Sequence, residues 1–230
     1  MKERPINLKP WEVRAILRGD QTQLRRVVEV ARVDPHPQIQ AAKIMTLQNG
    51  RQGWLNSQVD HPDHISRLGP YGVPGDRLWG RESWQFYDWT EDGEPCIRFA
   101  ADDATVWPCS RTEDDAARLT EIWAGLSRDE NYSIDNRACD RRWRSSVQLF
   151  RWASRILLDV VNTRVERLQA ITDADSIAEG CAGGHRSIKG YPYNATPREH
   201  FQSRWERTYG PGAWGDNPWV WCISVRRCAP

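Results

Sequence analysis

The strongest strand candidate in the chain, residues 155–171 (RILLDVVNTRVERLQAI), runs directly into a predicted helix and constrains the fold more than any other feature. Its β-branched side chains favour an extended conformation. In the following segment, TDADSIAEG (172–180), Thr172 is expected to cap a helix, Asp175 to occupy its third position and Gly180 to end it. The chain therefore contains both helix and sheet.

The remaining predicted elements complete an α+β pattern. Helix signals end in Gly19 and Gly210, and the second of these helices begins with a Thr196, Pro197 and Glu199 capping pattern. The predicted helices are 10–18, 112–126 and 197–209, and the predicted strands are 75–89, 96–102 and 218–227. This order favours a single domain, a small β-barrel with packed helices. Loop-rich segments, rich in Pro and Gly, indicate insertions at about 30–70 and 110–140.

The charge balance excludes a uniformly basic nucleic-acid binder of the histone kind, because 32 basic and 31 acidic residues give a net charge of +1. A local basic patch is still compatible with it. Lysine occurs only four times, so 28 of the basic residues are arginines, and there are 13 tryptophans. Arginine with tryptophan suits stacking and bidentate recognition. The alternative is a biased codon usage together with a tryptophan-rich core.

The sequence also bounds the cellular setting and the cofactors. No run of about 18 apolar residues is present, so no membrane-spanning segment is expected. The polar start MKERPINLKPWEVR does not resemble a secretory signal, and we expect a cytoplasmic protein. The six cysteines form no C-x-x-C pair. They are expected to be free thiols, and neither a metal nor a cofactor is predicted.

Three segments combine polar groups with turns and are candidate binding or catalytic segments. The turn 19–26, with its two adjacent arginines, is a candidate phosphate or carboxylate binder, and the segment 150–155 places two arginines beside an aromatic residue. Glu179 is a candidate general base or amide-binding carboxylate if it lies in a cleft. Each has a competing interpretation. The turn 19–26 is then an ordinary solvated turn, the segment 150–155 places Trp152 in the core and its arginines on the surface, and Glu179 is an ordinary residue at a helix end. The arginines and tryptophans in question, with Trp79 from the predicted strand, are Arg25, Arg26, Trp79, Arg151, Trp152 and Arg155.

Five segments occur in an order that resembles the ASCH-domain proteins of phages and prophages, which are related to the PUA-like superfamily. They are RAILRGDQTQLRRVV, GDRLWGRESW, FRWASRI, RVERLQAITDADSIAEG and NPWVWCISVRR. The resemblance covers roughly 10–28, 74–108 and 141–227. It implies a small, partly open β-barrel that recognises a nucleic acid or a modified base in a cleft beside the barrel.

Some small members of this family resemble amidohydrolases that remove an acyl group from the exocyclic amine of a modified cytidine. They use a Lys, a Thr three residues later and a distant Glu. On this sequence the Glu position falls on Glu179, the Lys position on Gln21 and the Thr position on Leu24. Gln21 cannot act as a base near neutral pH, and Leu24 has no hydroxyl to act as a nucleophile. The same hydrolysis by the same route is therefore not expected.

Three functions follow as hypotheses. The first is a binding module for single-stranded RNA or DNA, or for a modified nucleoside, in which Gln21 and Glu179 contact the base. Phosphates would lie on the arginines, and Trp79 or Trp152 would stack on the base. The second is a hydrolase that acts on a modified nucleoside or RNA through Glu179. The third is a phage accessory protein that binds a host protein.

Overall fold

The computed structural model describes residues 1–28, 43–46, 52–55, 65–68, 70–89, 95–106 and 142–228. The elements within these ranges form an α+β fold, as predicted. In chain order they are β1 (Glu3–Asn7), α1 (Pro10–Arg18), β2 (Gln23–Val27), β3 (Lys43–Thr46), β4 (Gln52–Leu55), β5 (Ile65–Leu68), β6 (Arg77–Arg81), β7 (Trp84–Trp89), β8 (Pro95–Phe99), β9 (Thr105–Val106), β10 (Leu157–Arg167), α2 (Asp173–Ala178), β11 (Gly184–His185), β12 (Asn194–Ala195), α3 (Pro197–Tyr209) and β13 (Trp219–Cys228).

The largest sheet has the strand order β1-β6-β10-β13-β2. Its long strands β10 and β13 pair antiparallel, and β13 pairs antiparallel with β2. Three smaller sheets have the orders β3-β4-β5, β7-β8-β9 and β11-β12. Within the described residues these sheets are open and no closed barrel is found.

The chain divides into two compact units, each of which is described by itself. Unit 1 comprises Met1–Arg4, Ala15–Leu78 and Leu157–Pro230, and unit 2 comprises Pro5–Arg14 and Trp79–Ile156. The predicted insertion at about 110–140 lies outside the described residues, as does the predicted helix 112–126. The single-domain organisation stays a prediction.

The core of unit 1 lies between the helices and one face of the sheet. Helices α2 and α3 pack against each other. A buried apolar cluster joins the segments on either side of α2, helix α3 and β13, and it consists of Leu168, Ile171, Cys181, Phe201, Trp205, Val220 and Cys222. Burial of this apolar surface holds α3 and the segments that flank α2 against the sheet.

The core of unit 2 is built around aromatic residues of β7 and β8. Trp84 and Phe86 meet edge to face, with ring centroids 5.1 Å apart. The buried cluster consists of Trp84, Phe86, Ile97, Phe99, Leu149, Phe150 and Ala153, with Trp152 packed against it.

Most of the predicted elements are confirmed. α1, β10, α2, α3 and β13 occur where the sequence predicts them, and both capping boxes are formed. Segment 96–102 supplies β8, which pairs with β7 as expected.

The prediction of one strand over 75–89 is wrong. Two strands of different sheets, β6 and β7, occupy this segment. The break falls at Glu82, whose buried carboxylate is bound by Arg155. The ion pair between Glu82 and Arg155 interrupts the regular strand at this point.

None of the α-helices in the described part of the chain is both long and apolar enough to cross a membrane.

Candidate functional site

Helix α1 ends in a glycine motif that turns the chain inward. Gly19 adopts the left-handed conformation, with φ of 83°. The Asp20 N–H donates to the Ala15 carbonyl at 2.9 Å, and the Gly19 N–H donates to the Ile16 carbonyl at 3.1 Å. This pair of bonds is the Schellman motif, which requires glycine at the left-handed position. The turn leaves Gln21 only 3% exposed.

Helix α2 ends in the same way. Gly180 has φ of 78°. The Cys181 N–H donates to the Ser176 carbonyl at 2.9 Å, and the Gly180 N–H donates to the Ile177 carbonyl at 2.8 Å. Glu179, the residue before this glycine, is 2% exposed. The sequence signal that stops the helix therefore also fixes the backbone that carries the buried carboxylate.

The two helix ends are joined, so that Gln21 and Glu179 meet. The Thr22 N–H donates to the Ala178 carbonyl at 2.8 Å. Gln21 Nε2 donates to the Gln23 carbonyl at 2.9 Å and lies 3.5 Å from Glu179 Oε2. An amide and a carboxylate 158 positions apart in the chain thus face each other inside unit 1.

Arg25, on β2, holds the Glu179 carboxylate in place. Its side chain is 1% exposed. One guanidinium nitrogen, Nη1, donates to Glu179 Oε1 at 2.9 Å and to Gln23 Oε1 at 2.6 Å, and the other, Nη2, donates to Glu166 Oε1 at 2.6 Å. Burial acts to lower the pKa of Arg25, but the Glu179 and Glu166 carboxylates outweigh it and raise this pKa above its usual value.

A second arginine completes a charge cluster, which we define as Arg25, Arg164, Glu166, Asp175 and Glu179; Arg25 and Glu179 are buried, and the other three are half-buried. Arg164 donates to Glu166 Oε2 at 3.0 Å and to Asp175 Oδ1 at 2.8 Å. Burial acts to raise the pKa of Asp175, but hydrogen bonds from Thr172 and Arg164 lower it to about 2. The two arginines are therefore engaged by carboxylates, which keeps them in fixed positions.

Arg204, on α3, lies beside the charge cluster. Its guanidinium donates to the Glu179 carbonyl at 3.3 Å and to the Gly180 carbonyl at 3.1 Å. On the sheet, the Cys222 thiol donates to Glu166 Oε1 at 3.1 Å. Burial, followed by Glu166, raises the pKa of Cys222 well above its usual range, so this thiol stays protonated and is not a nucleophile at neutral pH.

The carbonyl oxygen of the Gln21 side chain, Oε1, is buried and has no hydrogen-bond partner among the described residues. A buried acceptor without a partner is disfavoured by about 1–3 kcal/mol relative to a satisfied one. The Gln21 amide nitrogen, Nε2, donates to the Gln23 carbonyl, and this bond fixes the orientation of the amide with Oε1 directed away from Nε2.

The residues next to Gln21 do not supply a hydroxyl to this site. Leu24, which the family resemblance places at the Thr position, is fully buried and lies opposite Ile223 of β13. Thr22 is exposed, whereas Gln21 and Gln23 on either side of it are buried. Because Thr22 is exposed while Gln21 and Glu179 are buried, its hydroxyl does not belong to the amide–carboxylate pair.

Arg25 and Arg26, predicted to hold phosphates together, project to opposite faces of β2. The Arg26 guanidinium donates to the Arg25 carbonyl at 2.9 Å. Arg25 is enclosed by carboxylates. The pair therefore does not form a single phosphate-binding edge, because consecutive strand residues cannot share a face.

The other four predicted site residues, Trp79, Arg151, Trp152 and Arg155, belong to unit 2. Trp79 is buried, with the guanidinium carbons of Arg81 and Arg151 at 4.7 Å and 5.9 Å from its ring centroid. Trp152 stacks on Phe150 at 5.6 Å. The structure thus supports the alternative in which Trp152 packs against the core.

Arg155 is occupied by two acids of unit 2. Its guanidinium donates to both oxygens of Glu82 at 2.8 Å and to both oxygens of Asp102 at 2.8 Å and 2.7 Å. It also lies 4.4 Å from the centroid of the Phe99 ring. Burial raises the pKa of Glu82, although Arg155 opposes this, and the Arg155 hydrogen bonds lower the pKa of Asp102. This geometry is that of a structural ion pair.

Sequence reasoning missed Arg164, Glu166 and Asp175 as members of the site. One signal was available, since charges two positions apart in an apolar strand lie on the same face. Arg164 and Glu166 have this spacing within β10. Asp175 was predicted only as a helix-capping residue, which it also is.

No protein-family model, no curated protein and no solved structure matches this chain. In the described part of the chain, no group of three or more His, Cys, Asp or Glu residues is arranged to hold a metal ion.

Proposed function

We propose that this chain is a nucleic-acid or modified-base binding module whose base-recognition site is formed by Gln21 and Glu179. The observation that carries the proposal is the buried, unpartnered Oε1 of Gln21 beside the Glu179 carboxylate. Buried polar atoms of folded proteins are almost always bonded, and an exception calls for an explanation such as strain, a functional role, or a bound water or ion.

The chemistry of the pair favours a ligand that donates hydrogen bonds. Glu179 Oε1 is held by Arg25, whereas Oε2 lies on the side of the Gln21 amide, 3.5 Å from its nitrogen. Gln21 Oε1 and Glu179 Oε2 are both acceptors. An exocyclic amine of cytosine or adenine supplies two donors on one nitrogen, and it matches such a pair of acceptors.

The base has to be unpaired or extruded to reach these atoms. Gln21 and Glu179 are almost fully buried, so their covering has to open locally before a base can enter. We therefore expect association slower than that of a preformed, open site.

Binding is favoured over hydrolysis because the site lacks the groups that the family resemblance requires. Leu24 replaces the Thr nucleophile, and Gln21 replaces the Lys. In this proposal Arg25 positions the Glu179 carboxylate and does not bind phosphate, since its guanidinium already contacts Glu179 and Glu166.

The resemblance to ASCH-domain proteins leads us to propose further that the open antiparallel sheet is part of a PUA-like barrel. We place the activity in the cytoplasm. The four cysteines within the described residues, Cys96, Cys181, Cys222 and Cys228, are free thiols, which supports a reducing compartment.

The test is fluorescence anisotropy with labelled single-stranded RNA and DNA of mixed sequence, at low and at moderate salt, with cytidine, adenosine and N4-acylated cytidine as competitors. We expect binding that weakens with salt and competition by nucleosides with a free exocyclic amine. Gln21→Met should abolish this competition. Thr22→Val, at the exposed neighbour, is the matched control and should compete like the wild type.

Absence of binding at low salt, where phosphate contacts are strongest, contradicts the proposal. Mass analysis of the same incubations detects the hydrolase alternative, because loss of an acyl group that disappears in Glu179→Gln indicates catalysis. Binding to a host protein after nuclease treatment, without nucleic-acid binding, indicates the accessory-protein alternative.

A further inference from the structure

The connection between α2 and α3 carries an exposed basic segment that sequence reasoning did not single out. We call residues 183–195 (GGHRSIKGYPYNA) the basic loop. It contains His185, Arg186 and Lys189, and it has no Asp or Glu. In a chain with almost equal numbers of acids and bases, this loop is a local concentration of positive charge.

The base of the basic loop is closed and has a defined backbone. The short strands β11 and β12 pair Gly184 with Ala195 and His185 with Asn194. Gly183 has φ of 72°, and a Cβ at this position would lie 2.5 Å from the Ala195 carbonyl oxygen. Only glycine fits this approach, so the two ends of the loop are held together.

The loop presents an aromatic surface. Tyr191 and Tyr193 meet edge to face with ring centroids 6.2 Å apart. The Tyr191 hydroxyl donates to Glu199 Oε1 at 3.3 Å, which anchors one ring to α3. The Tyr193 ring is 72% exposed. An anchored tyrosine that supports an exposed one suits stacking on an unpaired base.

The two cations of the loop, Arg186 and Lys189, are not paired with acidic side chains of the described residues. Arg186 and Lys189 are not buried, and within the described residues neither side chain makes an ion pair or a hydrogen bond. They differ in this from Arg25 and Arg155, whose guanidinium groups are engaged by carboxylates. Unpaired cations are available for phosphate.

Contacts connect the base of the loop to the Glu179 backbone. The Gly183 N–H donates to His200 Nδ1 at 3.3 Å. The other ring nitrogen of His200 lies 3.1 Å from Arg204 Nη2. Arg204 in turn donates to the carbonyls of Glu179 and Gly180. The basic loop and the proposed base site therefore share one supporting framework within unit 1.

We infer that the basic loop is the contact surface for the backbone of a single-stranded nucleic acid whose extruded base enters the site at Gln21 and Glu179. Arg186 and Lys189 bind phosphates, and Tyr193 stacks on a base next to the extruded one. This inference rests on the proposed function and adds the surface that the strand follows.

The test compares labelled single-stranded oligonucleotides with free nucleosides as ligands of the full chain. For the double variant Arg186→Glu with Lys189→Glu, we expect weaker oligonucleotide binding and a salt slope smaller by about 1.4, because each neutralised phosphate contributes about 0.7 to the slope. For Tyr193→Ala we expect binding at least about fivefold weaker. Arg207→Glu, which reverses an exposed cation on α3, is the matched control and should keep the wild-type slope.

The outcomes distinguish a failure of the inference about the basic loop from a failure of the proposed base site. If oligonucleotides bind the wild type and all loop variants with equal affinity and slope, the inference is wrong and the proposed function stands. If the wild type binds no nucleic acid, or binds polyglutamate in preference to it, both are overturned. Circular dichroism of each variant, unchanged from the wild type, shows that altered binding is not loss of folding.

Discussion

Replacing Gln21 by methionine should make the protein more stable and at the same time remove its ability to recognise a base. Methionine has nearly the shape of glutamine but lacks its polar atoms. The substitution deletes the buried, unpartnered Oε1 and also the bond from Nε2 to the Gln23 carbonyl. The two deletions have opposite effects on the free energy of unfolding.

The magnitudes favour a net stabilisation. Removing a buried acceptor without a partner stabilises the folded state by about 1–3 kcal/mol. Loss of one neutral hydrogen bond destabilises it by about 0.5–1.5 kcal/mol. The contact from the amide to Glu179, at 3.5 Å, is too long to add much. The difference between these two ranges runs from about −0.5 to about +2.5 kcal/mol, so the free energy of unfolding is expected to rise by about 1 kcal/mol, the direction expected when a residue is retained for function.

Urea denaturation followed by tryptophan fluorescence measures this change, with Thr22→Val as the control of unchanged stability. The reasoning is refuted if Gln21→Met lowers the free energy of unfolding by more than about 1 kcal/mol, because the amide then acts as an ordinary structural hydrogen-bonding group. It is refuted equally if base competition is unaffected.

Three further predictions concern the support of the site. Arg25→Met leaves the buried carboxylate of Glu179 without its cation, whereas Glu166 keeps its bond from Arg164, and should destabilise the protein by about 3–5 kcal/mol in urea denaturation; an effect under about 1 kcal/mol would contradict the role of the ion pair. Burial lowers the pKa of His200 to about 4, below the usual value near 6.5, so stability present above about pH 6.5 should be lost as the pH falls towards 4; His200→Gln should flatten this part of the pH profile of the urea midpoint. Gly183→Ala forces a Cβ against the Ala195 carbonyl and should speed proteolysis within the basic loop; the same rate as the wild type would contradict the close approach.

Local patterns predicted the helices and long strands because those signals act over a few residues. Thr172 and Thr196 each bond the backbone three positions ahead, and glycine follows both helix ends. The prediction of one strand over 75–89 was wrong because the interruption at Glu82 depends on Arg155, which lies 73 positions away in the chain.

The candidate site was only partly predictable for the same reason. The resemblance and the turn chemistry singled out Gln21 and Glu179, and the structure brings these two together. The arginines near them were predicted to bind phosphate because a sequence shows the charge of an arginine but not the carboxylates that pair with it in the folded protein. Arg25 and Arg155 turned out to be enclosed by acids from distant strands and loops.

Sequence by itself determined where the helices α1, α2 and α3 begin and end and where the long strands β10 and β13 lie. These properties follow from backbone geometry and side-chain chemistry over a few neighbouring residues. Only the tertiary structure decided which arginines are paired with carboxylates and which are exposed to solvent, because ion pairing depends on distances between segments far apart in the chain. It therefore separated the buried Arg25 from the exposed Arg186, although both are the same amino acid.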